Sequence, residues 1–152
     1  MVPSGDVAVV IPARNEADRI RATVTGAAGL PGVDLVLVVD DGSQDGTAAA
    51  AQAAGASVVR HSRRRGKAAA METGAEAVRL LETRDSRPFP RHLLFLDGDL
   101  GQTAAGAAPL AEPVRAGEAD MTIAVFATVV RQGGHGFVVS LSGASRSTAS
   151  AA

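Results

Sequence analysis

Apolar and polar positions along this chain come in blocks, and the blocks change period. Residues 7–11 are continuously apolar and are closed by Pro12, the pattern of a strand buried on both faces. Residues 16–28 have helical composition, with Ile20 and Val24 four apart on one face, and Gly29, Pro31 and Gly32 end them. A second buried strand is predicted at 35–39, running directly into Asp40-Asp41-Gly42-Ser43. Asp45 or Thr47 can cap the Ala-rich helix that follows to Ala54, and Gly55 stops it. The run at 57–60 reads as a short third strand. Residues 67–81 read as a helix with Met71, Gly74, Ala75, Val78 and Leu81 on one stripe. A polar, Pro-containing loop at 84–90 leads to a fourth strand at 93–96, which ends at Asp97. Residues 104–116 are weakly helical, interrupted by Pro109 and Pro113, and a fifth strand is predicted at 121–126, with an extension toward Val130.

The alternation βαβαβαβαβ predicts an α/β protein: a three-layer α/β/α sandwich around a mostly parallel sheet. Residues 1–141 read as one domain. A Gly-rich loop at 132–136 falls within it, and the Ser- and Ala-rich stretch 142–152, with nothing to bury, reads as a disordered tail.

Composition narrows the picture in three places. Aromatic residues are 3% of the chain, with no Trp or Tyr, so the core must be aliphatic. The 15 Lys and Arg residues nearly balance 16 acidic ones, which removes the electrostatic case for nucleic acid or an anionic membrane as partner. With no Cys, disulfides and thiolate metal sites are excluded. No apolar run approaches the roughly 20 residues of a membrane helix and no signal peptide is visible, so a cytoplasmic protein without a membrane segment in this chain is expected. A homodimer is compatible with the sequence.

Candidate chemistry lies where strands end, because ligands of open parallel sheets sit beyond the carboxyl ends of the strands. Three strands close on polar clusters: Pro12-Ala13-Arg14-Asn15-Glu16, Asp40-Asp41-Gly42-Ser43 and Asp97-Gly98-Asp99. The last pair suits a hard divalent ion, with ligand phosphates and water completing its shell; alone, it is more often a capping turn, and its place after a buried strand beside two more polar loops favours the ion. Asp40 and Asp41 follow buried apolar residues and need partners, such as a ribose hydroxyl or a base N–H; capping of the turn that follows is the alternative, and an even one for Asp41. Asp41, Ser43, Asp45 and Gly46 match the start of a calcium loop, but its twelfth position is Gln52 where a bidentate Glu is required. Arg63-Arg64-Arg65-Gly66-Lys67 precedes a helix and offers an anion site or a solvated basic loop. His61 and His92 read as surface residues, and His135 as a loop histidine that could act as ligand or acid. The Gly-x-Gly-x-x-Gly and Walker patterns are absent from the strand–helix turns.

In this order, residues 9–16, 38–47, 65–67 and 95–100 resemble the family 2 glycosyltransferases of the GT-A fold, and the resemblance covers about residues 6–127. It implies a transferase of glycan or cell-wall biosynthesis that takes a nucleotide-diphosphate sugar, a UDP- or GDP-sugar, with Mg2+ or Mn2+ and an unknown acceptor. Carried over residue by residue, Pro12, Ala13 and Glu16 line the base and ribose pocket, and Asp40 or Asp41 holds the base or ribose. Lys67 lies near the phosphates, Asp97 near the ribose, and Asp99 is the metal ligand and so the catalytic residue. Family members usually continue further and carry acceptor contacts and a general base there. No acidic residue follows Asp120, so the domain looks truncated and a donor-binding module without transfer is the alternative. A nucleotidyltransferase is disfavoured because the first strand is not followed by a Gly-rich loop. A receiver domain is disfavoured because its Asp pair ends the first strand, not the second.

Overall fold

The computed structural model describes residues 5–132 and 136–146. Contacts divide the chain into two compact units, 1–108 and 109–152.

The first unit is built on strands β1 (Val7–Ala13), β2 (Val33–Asp40), β3 (Ser57–Arg60) and β4 (His92–Phe95), with helices α1 (Ile20–Ala28), α2 (Thr47–Ala53) and α3 (Lys67–Arg84) between them and a 3-10 segment at Gly101–Ala107. The strand order is β3-β2-β1-β4. Every pair is parallel, so all four strands point their carboxyl ends toward one edge. Successive strand residues face opposite sides. Ala8, Val10, Leu37 and Val39 therefore form one core with Ala70 and Val78 of α3, while Val9, Ile11, Val36 and Val38, also buried, face the other way, the side on which Ile20, Val24 and Ala27 bury the inner stripe of α1. Helix α3 comes close because position 74 is Gly. A Cβ there would lie 2.2 Å from Val10 Cγ1 and 3.2 Å from Val39 Cγ2.

The three-layer α/β/α arrangement expected from the alternation is thus present, with strand positions within a few residues of those expected. Helix α1 starts at Ile20, four residues later than composition suggests, because 14–19 form the loop that closes over the sheet edge. The weakly helical stretch is split at 107/108 into the 3-10 segment and α4 (Ala108–Arg115), whose Pro113 sits inside the helix.

The second unit departs from expectation. The fifth strand, β5 (Thr122–Gln132), does not extend the parallel sheet; it pairs antiparallel with β6 (Gly136–Arg146). Residues 142–146, expected in a disordered tail, belong to β6. Antiparallel pairing, ending at Gln132 with Gly136, is what the block reading of 121–130 could not distinguish from a buried parallel strand. Residues 133–135, with His135, and 147–152 lie outside the described residues.

Candidate active site at the carboxyl edge of the sheet

Register fixes which side chains meet. Ala13 pairs with Asp40, and Asp40 with Arg60. Val10 pairs with Phe95, and Leu96 N–H donates to Val10 O at 3.1 Å. Continuing that register brings Asp97 level with Pro12. All four strands deliver a polar loop to this edge, one more than the sequence indicated, since β3 ends in His61 and the basic turn at 62–66.

The loops after β1 and β2 are laced together. Asn15, held at a positive φ of 54°, donates its N–H to Ser43 Oγ at 2.9 Å and accepts Gln44 N–H on Oδ1 at 2.9 Å. Glu16 N–H donates to Thr47 Oγ1 at 2.9 Å, and Ala17 N–H to Asp45 Oδ2 at 3.2 Å. The Thr47 hydroxyl and the N–H groups of Ala17 and Thr47 hold the Asp45 carboxyl below the usual carboxylate range. Asp45 thereby fixes the start of α2 from two residues before it, and Thr47 is a partner in that bond and not itself the cap.

Asp40 and Asp41 are adjacent and both buried, yet they differ in how they are satisfied. Asp40 Oδ1 accepts Ser43 N–H at 2.9 Å. Its Oδ2 is buried and has no hydrogen-bond partner among the described residues; Arg60 Nε stands 3.6 Å away, beyond hydrogen-bond range, while its Nη2 donates to Ser43 O at 2.8 Å. Asp41, in contrast, is surrounded by donors of the chain itself. Oδ1 accepts His61 Nδ1–H at 2.8 Å and Arg65 N–H at 2.7 Å, and Oδ2 accepts Gly66 N–H at 2.9 Å. Burial pushes its carboxyl up, but the His61, Arg65 and Gly66 bonds together outweigh it and hold the group below its ordinary value.

This corrects the reading of His61 as a surface residue. It is 6% exposed and bonded at both ring nitrogens, Nε2 to Thr73 Oγ1 of α3 at 2.8 Å. His92 is exposed, as expected. The signal available in the sequence was position: His61 directly closes a strand beside the strand that carries the Asp pair.

The loop after β4 is held from below by Thr23 of α1, fully buried and not singled out by the sequence. Its hydroxyl lies 2.9 Å from Gly98 O and accepts Gly101 N–H at 2.8 Å. Gly98 is needed where it stands, because a Cβ there would fall 2.8 Å from Ala13 Cβ. Asp97 and Asp99 are both exposed. Asp97 pairs with Lys67 Nζ from the first turn of α3. Asp99 is near Glu16: burial first, and then the negative charge of Asp99, pushes the Glu16 carboxyl above its usual range. The structure therefore brings Pro12, Ala13, Glu16, Asp40, Asp41, Lys67, Asp97 and Asp99 to one edge. Among the described residues no three His, Cys, Asp or Glu side chains converge as a complete metal cage. Two exposed carboxylates next to a raised Glu fit a divalent ion that takes most of its shell from a phosphate ligand and water.

Comparison with known proteins agrees with this geometry. The glycosyl transferase family 2 model matches residues 8–142. The succinoglycan biosynthesis protein ExoU of Rhizobium meliloti (strain 1021) is 43% identical over 70 residues, which is 43% of this chain and 20% of that protein. The structure of Mycobacterium tuberculosis glucosyl-3-phosphoglycerate synthase superposes with a TM-score of 0.57 at 28% identity, covering 72% of this chain and 41% of the synthase. Its complex with Mn2+, UDP-glucose and phosphoglyceric acid superposes with a TM-score of 0.57 at 30% identity, covering 75% of this chain and 40% of the synthase. This chain thus spans less than half the length of these relatives.

Proposed function

Since the chain belongs to glycosyl transferase family 2, we propose that its sheet edge binds a nucleotide-diphosphate sugar with Mg2+ or Mn2+ and serves as the donor site of sugar transfer to a separate acceptor. The observation that carries this reading is the buried Oδ2 of Asp40, which accepts no hydrogen bond among the described residues and has the Arg60 guanidinium only at 3.6 Å, on the same edge as the exposed pair Asp97 and Asp99. A buried acceptor without a donor costs about 1–3 kcal/mol, which a ligand N–H recovers.

In this reading Asp40 accepts from the base and Pro12 and Ala13 wall its pocket, while Asp41 keeps the basic turn in shape instead of touching the ligand. Glu16 faces the ribose side, Lys67 the diphosphate, and Asp97 sits between Lys67 and the ribose. Asp99 holds the divalent ion, which supplies a Lewis acid for charge developing on the leaving diphosphate. Departure of that group is the demanding step, because the sugar carbon becomes oxocarbenium-like. Lys67 adds a second cation at the same place, and its pairing with Asp97 keeps it there before ligand arrives.

We favour a UDP-sugar over a GDP-sugar because UDP or UDP-glucose is the nucleotide in the solved complexes of the similar synthase. The reading also takes the chain to work in the cytoplasm, alone or as a homodimer, which cell fractionation and light scattering decide. No helix among the described residues is long and apolar enough to cross a membrane.

Calorimetric titration of the 152-residue chain with UDP, with and without Mn2+, tests the proposal. Metal-dependent binding is expected, and its absence overturns the reading. Donor hydrolysis or transfer, measured with UDP-sugars, separates an enzyme from a binding module.

A further inference from the structure

His61 lies apart from the residues assigned to ligand above, yet it is buried at the sheet edge and uses both ring nitrogens. The bonds form one chain across three elements. Thr73 on α3 bonds His61 Nε2 at 2.8 Å, His61 Nδ1 bonds Asp41 Oδ1 at 2.8 Å, and Asp41 binds the backbone N–H groups of Arg65 and Gly66 at 2.7 and 2.9 Å. The carboxylate of Asp41 only accepts, so Nδ1 carries the proton facing it, and Nε2 shares a hydrogen bond with the Thr73 hydroxyl.

The consequence reaches Lys67. The turn it follows has few other anchors. Arg63, Arg64 and Arg65 are exposed, and Gly66 is at a positive φ of 97°. Arg63 and Arg64 press their backbone against Gly42, where a Cβ would lie 2.6 Å from Arg64 N. Asp41 is the side chain that clamps this turn, and a carboxylate can swing about its Cα–Cβ bond unless something fixes the rotamer. His61 supplies that constraint on Oδ1. The next residue after the clamped N–H pair is Lys67, the cation that meets Asp97.

We infer that His61 is a positioning residue: through Asp41 it sets the 63–67 turn and so the place of Lys67 toward the diphosphate of a bound donor. The inference rests on the nucleotide-diphosphate reading of this edge and goes beyond it, because it separates affinity for the phosphates from affinity for the nucleoside.

The test compares His61→Gln, His61→Asn and Thr73→Val in the full chain. Gln puts its amide where Nε2 was and keeps the Thr73 side while losing Nδ1. Asn puts its amide where Nδ1 was and restores the bond to Asp41. UDP with Mn2+ and uridine alone are titrated separately, the latter by ligand-observed NMR, and exchange of the Arg65 and Gly66 amide protons is followed without ligand. His61→Gln is expected to weaken UDP binding about tenfold, as for loss of one charge-assisted bond, with uridine binding unchanged and both amides exchanging faster. His61→Asn is expected to recover UDP affinity to within about twofold, and Thr73→Val, which frees the far side of the ring, to fall between. Should His61→Gln fail to fold, Thr73→Val carries the same comparison. The inference is overturned if UDP affinity and amide exchange are unchanged in the folded variants, or if UDP and uridine weaken in parallel. Failure of the wild-type chain to bind UDP overturns it together with the reading it rests on.

Discussion

The two edges of the parallel sheet are both charged, but their charges are arranged to different ends. At the amino edge, Asp34 at the start of β2 is gripped by Arg91 Nε at 2.6 Å and Arg87 Nη1 at 3.2 Å. Glu82 Oε1 accepts Arg91 N–H at 2.8 Å and faces its guanidinium at 3.6 Å, and Arg87 Nη2 donates to Gly5 O at 2.9 Å. Two carboxylates meet two guanidinium groups and every carboxylate has a donor, although Arg87 Nε and Arg91 Nη1 are buried without a hydrogen-bond acceptor among the described residues. The arginines tie the start of β2 and the segments before β1 and β4 into one corner. At the carboxyl edge Glu16, Asp40, Asp97 and Asp99 gather beside Arg60, Lys67 and the exposed arginines of the 63–65 turn. Asp40 Oδ2 accepts no hydrogen bond among the described residues, and the Glu16 carboxyl is pushed upward by burial first and then by the charge of Asp99. The amino-edge carboxylates are taken up by the chain's own arginines, which holds that corner together. At the other edge Asp97 and Asp99 are exposed where four loops converge, and stand open to a ligand.

That contrast breaks most sharply at Asp99. Replacing this exposed residue by Ala is expected to lower UDP·Mn2+ affinity and any donor turnover by roughly a hundredfold or more, the scale for losing a group that stabilises the leaving charge. Stability should stay within about 0.5 kcal/mol of wild type. Equal metal-dependent UDP binding by the variant would show that the open carboxylates do not hold the ion.

The opposite edge should behave inversely. Asp34→Ala leaves the Arg91 side chain, 9% exposed, without its main partner. Removing one member of a buried pair costs about 3–5 kcal/mol, and the partial exposure of Asp34 brings the expectation to about 2–3 kcal/mol. Urea denaturation checks this, and UDP affinity measured well below the unfolding midpoint should not change. A smaller effect on both properties is expected from Thr23→Val, which strips the partner from Gly98 O and Gly101 N–H beneath the Asp97–Asp99 loop. About 1–2 kcal/mol of stability should go, with a several-fold loss in Mn2+-dependent binding. Loss of stability alone would mean that Thr23 supports the loop without shaping the site.

Much of this contrast was legible in the sequence, but unevenly. Apolar runs at 7–11 and 35–39 had no reading other than buried strands, and the residues after them fell at the carboxyl edge because parallel topology leaves no choice. The acidic residues were visible for the same reason. What local pattern does not carry is who satisfies whom. Asp40 and Asp41 are neighbours of one type, and only the fold reveals that Asp41 is filled by His61 and the 65–66 amides while Asp40 keeps an oxygen that accepts no hydrogen bond among the described residues. Thr23 looked like one more polar residue in a helix, since its partners are 75 and 78 positions away. The amino-edge network was hidden too, because Asp34, Glu82, Arg87 and Arg91 come from three separate segments. The antiparallel hairpin of β5 and β6 was missed because a continuous apolar run does not state the direction of its partner.

The smallest effect sharpens the comparison within a single edge, between Asp41 and Glu16. The folded-state pKa of Asp41 lies below its ordinary value, so its bonds to His61, Arg65 and Gly66 stabilise the fold fully above the unfolded carboxylate pKa. That contribution disappears as pH falls through the lower folded value. Glu16 has the opposite sign. Its folded pKa is raised, so the fold is favoured while Glu16 is protonated and is weakened as pH climbs through the raised value. Thermal melts from pH 3 to 6 should therefore show Asp41→Asn as less stable than wild type near pH 6, with the gap narrowing toward pH 3. Glu16→Gln should instead equal or exceed wild type near pH 6 and lose that advantage as the solution is acidified. Burial is the larger cause of the raised Glu16 value and the charge of Asp99 the second. A divalent cation at Asp99 counters the second, so saturating Mn2+ with UDP should reduce the advantage of Glu16→Gln at pH 6 while leaving the Asp41→Asn gap in place. Were Mn2+ and UDP to alter both variants equally, the division of this edge into a closed anchor and an open site would fail.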